Sequence, residues 1–170
     1  MIELLILYEL SKKVLTMYGI SKEIKNEFAV LTTPSYGTIK PALNRLEKSE
    51  CVRIQKTMSS GGRPSTYYSI TKLGQEKLKH LLLAEPLENP IQFLPDSRIR
   101  LVCAEVLEKS EQVNLFKILK LKAESIALDI KRIQEKKDLT FFQTMMFDNL
   151  ICEYKNFISL LEGLERASKG

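Results

Sequence analysis

From Ile2 to about Leu15 the apolar residues Leu4, Leu7, Tyr8, Leu10 and Val14 recur at helical spacing, with Glu3, Glu9, Lys12 and Lys13 on the other side. This pattern predicts a first amphipathic helix. Ser21 is a suitable N-cap for a short second helix that contains Ile24 and ends near Phe28. After the break at Thr32 to Ser35, a third helix is expected from Ser35 or Tyr36 to about Lys48. Its apolar face is Ile39, Leu43 and Leu46, and the opposite face presents Tyr36, Lys40, Pro41, Asn44 and Arg45. Pro41 removes the hydrogen bond to the Gly37 carbonyl, at ~3 kcal/mol in a regular helix interior, so a local distortion is expected there.

The stretches Val52 to Met58 and Thr66 to Ile70 favour strands, and Ser59 to Pro64 between them is rich in turn formers. They predict a β-hairpin whose tip carries Arg63. Tyr67 and Tyr68 alternate across the second strand, so one is expected in the core and one outside. Thr71 then caps a fourth helix that runs to about Leu83.

Ala84 to Pro95 holds Pro86, Pro90 and Pro95 with little periodicity, which reads as a connection. The chain is thereby divided into residues 1–83, a linker 84–95 and a helical domain 96–170. In the last of these, Asp96 or Ser97 can cap one helix and Ser110 the next. That second helix repeats Phe116, Leu119, Ala123, Ile126, Ile130 and Ile133 as a coiled-coil-like seam. A final helix from about Thr140 to Ala167 bears two stripes: Phe147, Ile151, Tyr154, Ile158 and Leu161, and beside it Met146, Leu150, Phe157, Leu160 and Leu164. A sharp turn around Lys136 to Leu139 makes these two helices antiparallel. Two apolar stripes need more than one neighbour, and the economical solution is a two-fold dimer. We assign Phe147, Ile151, Tyr154, Ile158 and Leu161 to that dimerisation. The expected fold is mainly α with a small antiparallel β-hairpin: a winged helix-turn-helix followed by a C-terminal helical dimerisation domain.

Composition narrows the function. The 170 residues are 44% hydrophobic and 28% charged, as in an ordinary folded protein. Residues 1 to 80 hold 13 Lys and Arg against 7 Asp and Glu, whereas the remainder holds 13 against 14. The positive excess lies wholly in the first part, as expected where one domain meets a polyanion and the other meets protein. Apolar runs are too short for a membrane span, and the N-terminus lacks the basic segment and cleavage site of a signal peptide. A cytoplasmic protein without membrane association is expected.

Cys51, Cys103 and Cys152 are widely spaced and odd in number, so they suggest neither a disulfide framework nor a zinc cluster, and ordinary burial is expected of each. With His80 the single histidine, metal sites and Ser-His or Cys-His arrangements lack raw material. Neither an enzyme nor a cofactor is expected.

Tyr18 with Gly19 and Ile24, the run from Ser35 to Glu47, and the stretch from Gly62 to Gly74 together resemble the PadR family of bacterial transcription regulators. Tyr18, Gly19 and Ile24 look like the family's His-Gly-Tyr entry and the apolar position after it. In the third helix Ser35, Gly37, Thr38, Ile39, Pro41, Leu43, Arg45, Leu46 and Glu47 follow the family's Ser-x-Gly-Thr-Ile-Tyr-Pro-x-Leu-x-Arg-Leu-Glu. Gly62, Arg63, Pro64, Tyr67, Tyr68, Ile70, Thr71 and Gly74 resemble its wing, Gly-x-Pro-x-x-Tyr-Tyr-x-Leu-Thr-x-x-Gly. The likeness covers roughly residues 4 to 80. The chain departs from it at Lys40 for Tyr, Tyr18 for His and Glu50 for Gly.

The resemblance implies a sequence-specific DNA-binding repressor that meets an inverted-repeat operator as a homodimer, with recognition helices in successive major grooves. Ser35, Tyr36, Thr38, Lys40, Pro41, Asn44, Arg45, Lys56 and Arg63 are the expected contacts to double-stranded DNA. Asn44 suits adenine, and Arg45 suits guanine or phosphate unless it pairs with Glu47 or Glu50. Arg63 either enters a minor groove or is an idle hairpin arginine. Lys56 and Arg53 suit phosphates better than bases. A small hydrophobic effector is also implied, with Phe116, Phe142, Met145 or Met146 as a lining or as plain core. The alternative from another class is a winged-helix protein-interaction scaffold that does not bind DNA.

Overall fold

The computed structural model describes residues 1–58, 64–135 and 138–169. Within them the order is α1 (Ile2–Lys12), β1 (Leu15–Thr16), α2 (Met17–Phe28), α3 (Tyr36–Lys48), β2 (Val52–Met58), β3 (Pro64–Ile70), α4 (Lys72–Leu83), α5 (Pro90–Cys103), a 3-10 turn at Ala104–Val106, α6 (Lys109–Glu135) and α7 (Phe141–Lys169). The protein is mainly helical with one small antiparallel sheet. Contacts divide it into an N-terminal unit, Met1–Ala84 with Arg98–Val106, and a C-terminal unit, Glu85–Ser97 with Leu107–Gly170.

In the N-terminal unit α1 is the central rod, buried almost all round from Leu4 to Leu10, with α2, α3, α4 and β3 packed about it. A helix covered on most sides is apolar on most sides, which blurs the amphipathic pattern in its sequence, and Glu9, expected on the outer side, is buried with the apolar residues. The helix stops at Lys12, and Leu15 and Thr16 form a third strand that pairs antiparallel with Tyr68 and Tyr67. The sheet order is β1-β3-β2. Two strands therefore flank β3, and Tyr67 and Tyr68 are both half-buried rather than split between core and solvent. Thr16, not Ser21, caps α2: its hydroxyl oxygen accepts from the Gly19 N–H at 3.1 Å.

Helix α3 ends in a left-handed cap. The Cys51 N–H donates to the Leu46 carbonyl and the Glu50 N–H to that of Glu47, both at 2.9 Å, and Glu50 takes φ 56°. This is the Schellman arrangement, in which glycine is the favoured residue at the position that Glu50 holds. Thr71 caps α4 by accepting from the Gly74 N–H, and its own hydroxyl donates to the Glu50 carbonyl at 2.7 Å. The start of α4 is thus fastened to the end of α3. Arg100, itself buried, donates to the carbonyls of Leu82 and Ala84 and so closes the other end of α4.

In the C-terminal unit α5 begins at Pro90, inside the stretch expected as linker, where the Asn89 side chain accepts from the Ile91 N–H at 2.9 Å. Proline is well suited to a first helical position, since its missing N–H would have no helical partner there. Asp96 and Ser97, expected as caps, are buried inside the helix. Glu111 accepts from the Glu108 N–H to start α6, and Thr140 and Gln143 form a reciprocal capping box at the start of α7. Helices α6 and α7 pack together, and their buried residues are Leu115, Phe116, Leu119, Ala123 and Ile126 of α6 and Ile151, Tyr154, Phe157 and Leu161 of α7. Phe93 stacks on Tyr154 and meets Phe157 edge-on, and the Tyr154 hydroxyl donates to the Pro90 carbonyl. The turn expected at Lys136 to Leu139 lies partly outside the described residues.

Cys51 and Cys103 are buried as expected, but Cys152 is exposed. Burial pushes the Cys103 thiol far above its usual range, an inert packing residue rather than a reactive one.

Candidate nucleic-acid interface

The sequence of α3 makes a helix with a sharply divided surface. Ile39, Ala42, Leu43 and Leu46 are fully or almost fully buried. Gly37, Thr38, Lys40, Pro41, Asn44, Arg45 and Lys48 are exposed. The helix is continuous from Tyr36 to Lys48, with Pro41 inside it. Because Pro41 lacks an N–H, the Gly37 carbonyl on this outward side has no helical donor.

At the helix start the Ser35 carbonyl accepts from the Thr38 and Ile39 N–H groups, and the Ser35 and Thr38 hydroxyls are 2.9 Å apart in a mutual hydrogen bond. Both side chains are exposed, and Tyr36 beside them is 46% exposed. Lys40, Asn44 and Lys48 follow at intervals of four, one row along the helix. Among the described residues no hydrogen-bond or ion-pair partner is found for these three. Lys48 was not among the expected contacts, although the spacing from Lys40 and Asn44 would have found it.

Arg45 is differently placed. Its Nε donates to Glu3 Oε1 of α1 at 2.8 Å, and neither Glu47 nor Glu50 is its partner. The other oxygen, Oε2, holds Lys77 of α4 at 2.8 Å. Partial burial works against a charged Glu3, but the hydrogen bonds and charges of Lys77 and Arg45 outweigh it and hold the carboxyl below its usual range. Nothing local in the sequence points to this trio, because the partners lie in three different helices.

On the hairpin, Lys56 is exposed and stands opposite Thr66, and Arg53, also exposed, opposite Ser69. Arg63 and the glycines beside it lie outside the described residues. The expected interface is therefore described on α3 and on β2, not at the hairpin tip.

The residues assigned to dimerisation fall mostly inside the chain. Ile151, Tyr154 and Leu161 are buried and Phe147 and Ile158 half-buried within the single chain. The large apolar groups left open on these helices among the described residues are others: Leu121, Leu128 and Ile133 of α6, the last of them expected in the seam, and Phe141, Phe142, Met145, Met146 and Leu160 of α7. Of the residues named for an effector, Phe116 is core, whereas Phe142 is 82% exposed.

Among the described residues no helix is long and apolar enough to cross a membrane, and no cluster of His, Cys, Asp and Glu could hold a metal ion.

The model of the transcriptional regulator PadR-like family matches residues 6–80. A PadR family regulator from Clostridium difficile is 32% identical over 46% of this chain and 79% of that one, with a TM-score of 0.40. Bacillus subtilis PadR, solved with operator DNA, is 20% identical over 98% of each chain, with a TM-score of 0.45. The same protein solved with p-coumaric acid is 19% identical over 99% of this chain and 95% of that one, with a TM-score of 0.43. No curated protein matches the chain. The family match spans α1 to α4, the elements that position the exposed face of α3, and the chain belongs to the PadR-like family of transcriptional regulators.

Proposed function

We propose that this regulator represses transcription by binding an inverted-repeat operator as a homodimer, with α3 of each copy in a major groove. The observation that carries the reading is the row Lys40, Asn44 and Lys48, exposed and without partners among the described residues, on a helix whose other side is locked into the core. A buried side fixes the helix axis, so the open side presents donors in a fixed array. Lysine donates to phosphate oxygens or to guanine, and the asparagine amide matches the donor and acceptor pair of adenine. Ser35, Tyr36 and Thr38 at the helix start suit phosphates, as does Lys56 on the hairpin. Arg63 belongs to the same proposal by sequence alone.

The N-terminal unit is the DNA-binding part and the C-terminal unit the dimerisation part. Support for the latter is the open apolar set on α6 and α7, whose exposure in a lone chain is unfavourable by ~25 cal/mol per Å². A second copy covering Phe142, Met145 and Met146 removes that cost. A small hydrophobic effector would act by favouring one separation of the two α3 helices over another.

The test is selection of bound fragments from a random-sequence duplex pool. The proposal expects enrichment of one two-fold symmetric site, with half-sites about 10 base pairs apart. Failure to enrich any sequence would overturn it and favour a protein-interaction role.

A further inference from the structure

Among the described residues expected at the interface, Arg45 is a cation that the fold already holds by its inner nitrogen. Resting on the DNA-binding reading above, we propose that Glu3 is a positioning residue for Arg45, fixing through Nε a guanidinium whose two outer nitrogens face the groove. The Arg45 side chain is 58% exposed although its Nε is bound at 2.8 Å to Glu3. Arginine carries five N–H donors in a planar fork, and only the one on Nε is used here, so the two NH2 groups remain for guanine O6 and N7 or for a phosphate. Glu3 is in turn held by Lys77 at 2.8 Å, and its side chain is only 20% exposed. The anchor is therefore more fixed than the residue it anchors.

Two consequences separate this arrangement from a plain surface ion pair. A tethered guanidinium is pre-ordered, so less rotamer freedom is lost when it meets a base, and the gain falls on the sequence with a guanine in reach. Its charge is also offset by Glu3, so Arg45 adds direction more than net attraction for phosphate. Replacing the Glu3 carboxylate by an amide of the same shape weakens the hold on Nε to that of a neutral acceptor, which should loosen Arg45, raise its attraction for any phosphate and blunt its choice of base.

The experiment compares binding of the wild type, Glu3→Gln, Lys77→Ala and Arg45→Ala to two duplexes, one selected on the wild type from a random pool and one of scrambled sequence. For Glu3→Gln we expect the ratio of the two affinities to fall about fivefold or more, with affinity for the scrambled duplex unchanged or raised. Lys77→Ala, which loosens the anchor but leaves the bond from Arg45 to Glu3, should lower the ratio by less than Glu3→Gln does, while Arg45→Ala should lower it at least as far as Glu3→Gln. Tm measured on each variant reports folding. An unchanged ratio in Glu3→Gln, or equal losses in Glu3→Gln and Lys77→Ala, would show a merely structural trio and overturn the inference, as would an unchanged ratio in Arg45→Ala. If the wild type selects no duplex at all, the DNA-binding reading itself fails, which is a separate outcome.

Discussion

Gly74, in the first turn of α4, lies so close to Cys51 that a β-carbon on it would overlap the Cys51 carbonyl oxygen and come within 2.7 Å of Ile70 Cγ1. The obstacle is backbone, which cannot swing aside as a flexible side chain would. That carbonyl is also fixed by the Thr71 N–H at 3.0 Å. The glycine is required by close approach and not by a turn. Gly74→Ala should cost about 1–3 kcal/mol or more, a fall in Tm of several degrees at roughly 2–4 °C per kcal/mol for a chain of this size. Thermal melting checks this, and an unchanged Tm would contradict the packing described for the start of α4.

At Glu50 the opposite substitution should help. A left-handed conformation costs a non-glycine residue about 1–2 kcal/mol, partly offset by the larger unfolded-state freedom of glycine. Glu50→Gly should stabilise the protein by about 0.5–1 kcal/mol. Chemical denaturation should show a higher midpoint with the same slope.

Glu9 makes stability depend on pH. It is fully buried, neither carboxylate oxygen has a hydrogen-bond partner among the described residues, and the ammonium of Lys12 is 3.7 Å away. Burial, against the pull of Lys12 and with the repulsion of Glu27 and Glu23, raises its pKa from 4.5 to about 7. Between those values the folded protein holds a proton that the unfolded chain has lost, so stability falls as pH rises through the window. The fall is at most about 3 to 4 kcal/mol, at about 1.4 kcal/mol per pH unit. Glu9→Gln, which stays neutral, should flatten the dependence and raise Tm above that of the wild type at pH 8. Parallel pH profiles for the two proteins would contradict this.

The two kinds of apolar residue on α7 should respond differently. Ile151 is core, and Ile151→Ala should cost about 2–5 kcal/mol. Phe142 is open, and Phe142→Asp should leave Tm of the single chain nearly unchanged while weakening self-association in sedimentation. If Phe142→Asp leaves a dimer intact, the second copy does not cover that end of the hairpin.

Much of the N-terminal fold was legible because each piece carries a local signal: the 3.6-residue period of α3, the strand composition of β2, and Thr71 as a cap. The third strand was not, because Leu15 and Thr16 gain their conformation from Tyr68 and Tyr67, fifty residues away in the chain. Pro90 read as a breaker although proline also starts helices, and only the Asn89 cap decides between the two. The stripes of α7 could be seen but not assigned, since periodicity shows that Ile151 and Met146 are apolar without saying which one meets α6. At the interface, Lys40 and Asn44 follow from the face opposite Ile39 and Leu43. The Glu3 partnership of Arg45 depends on three helices meeting, which no spacing encodes.

The claim on which the rest depends is that the exposed row of α3 meets duplex DNA, and salt titration of binding to the selected duplex tests it most directly, with Lys40→Ala beside the wild type. The account predicts that log K falls linearly and steeply with log salt for the wild type, and that the slope becomes shallower by about 1 in Lys40→Ala. A flat response, or the same slope in both proteins, would contradict it.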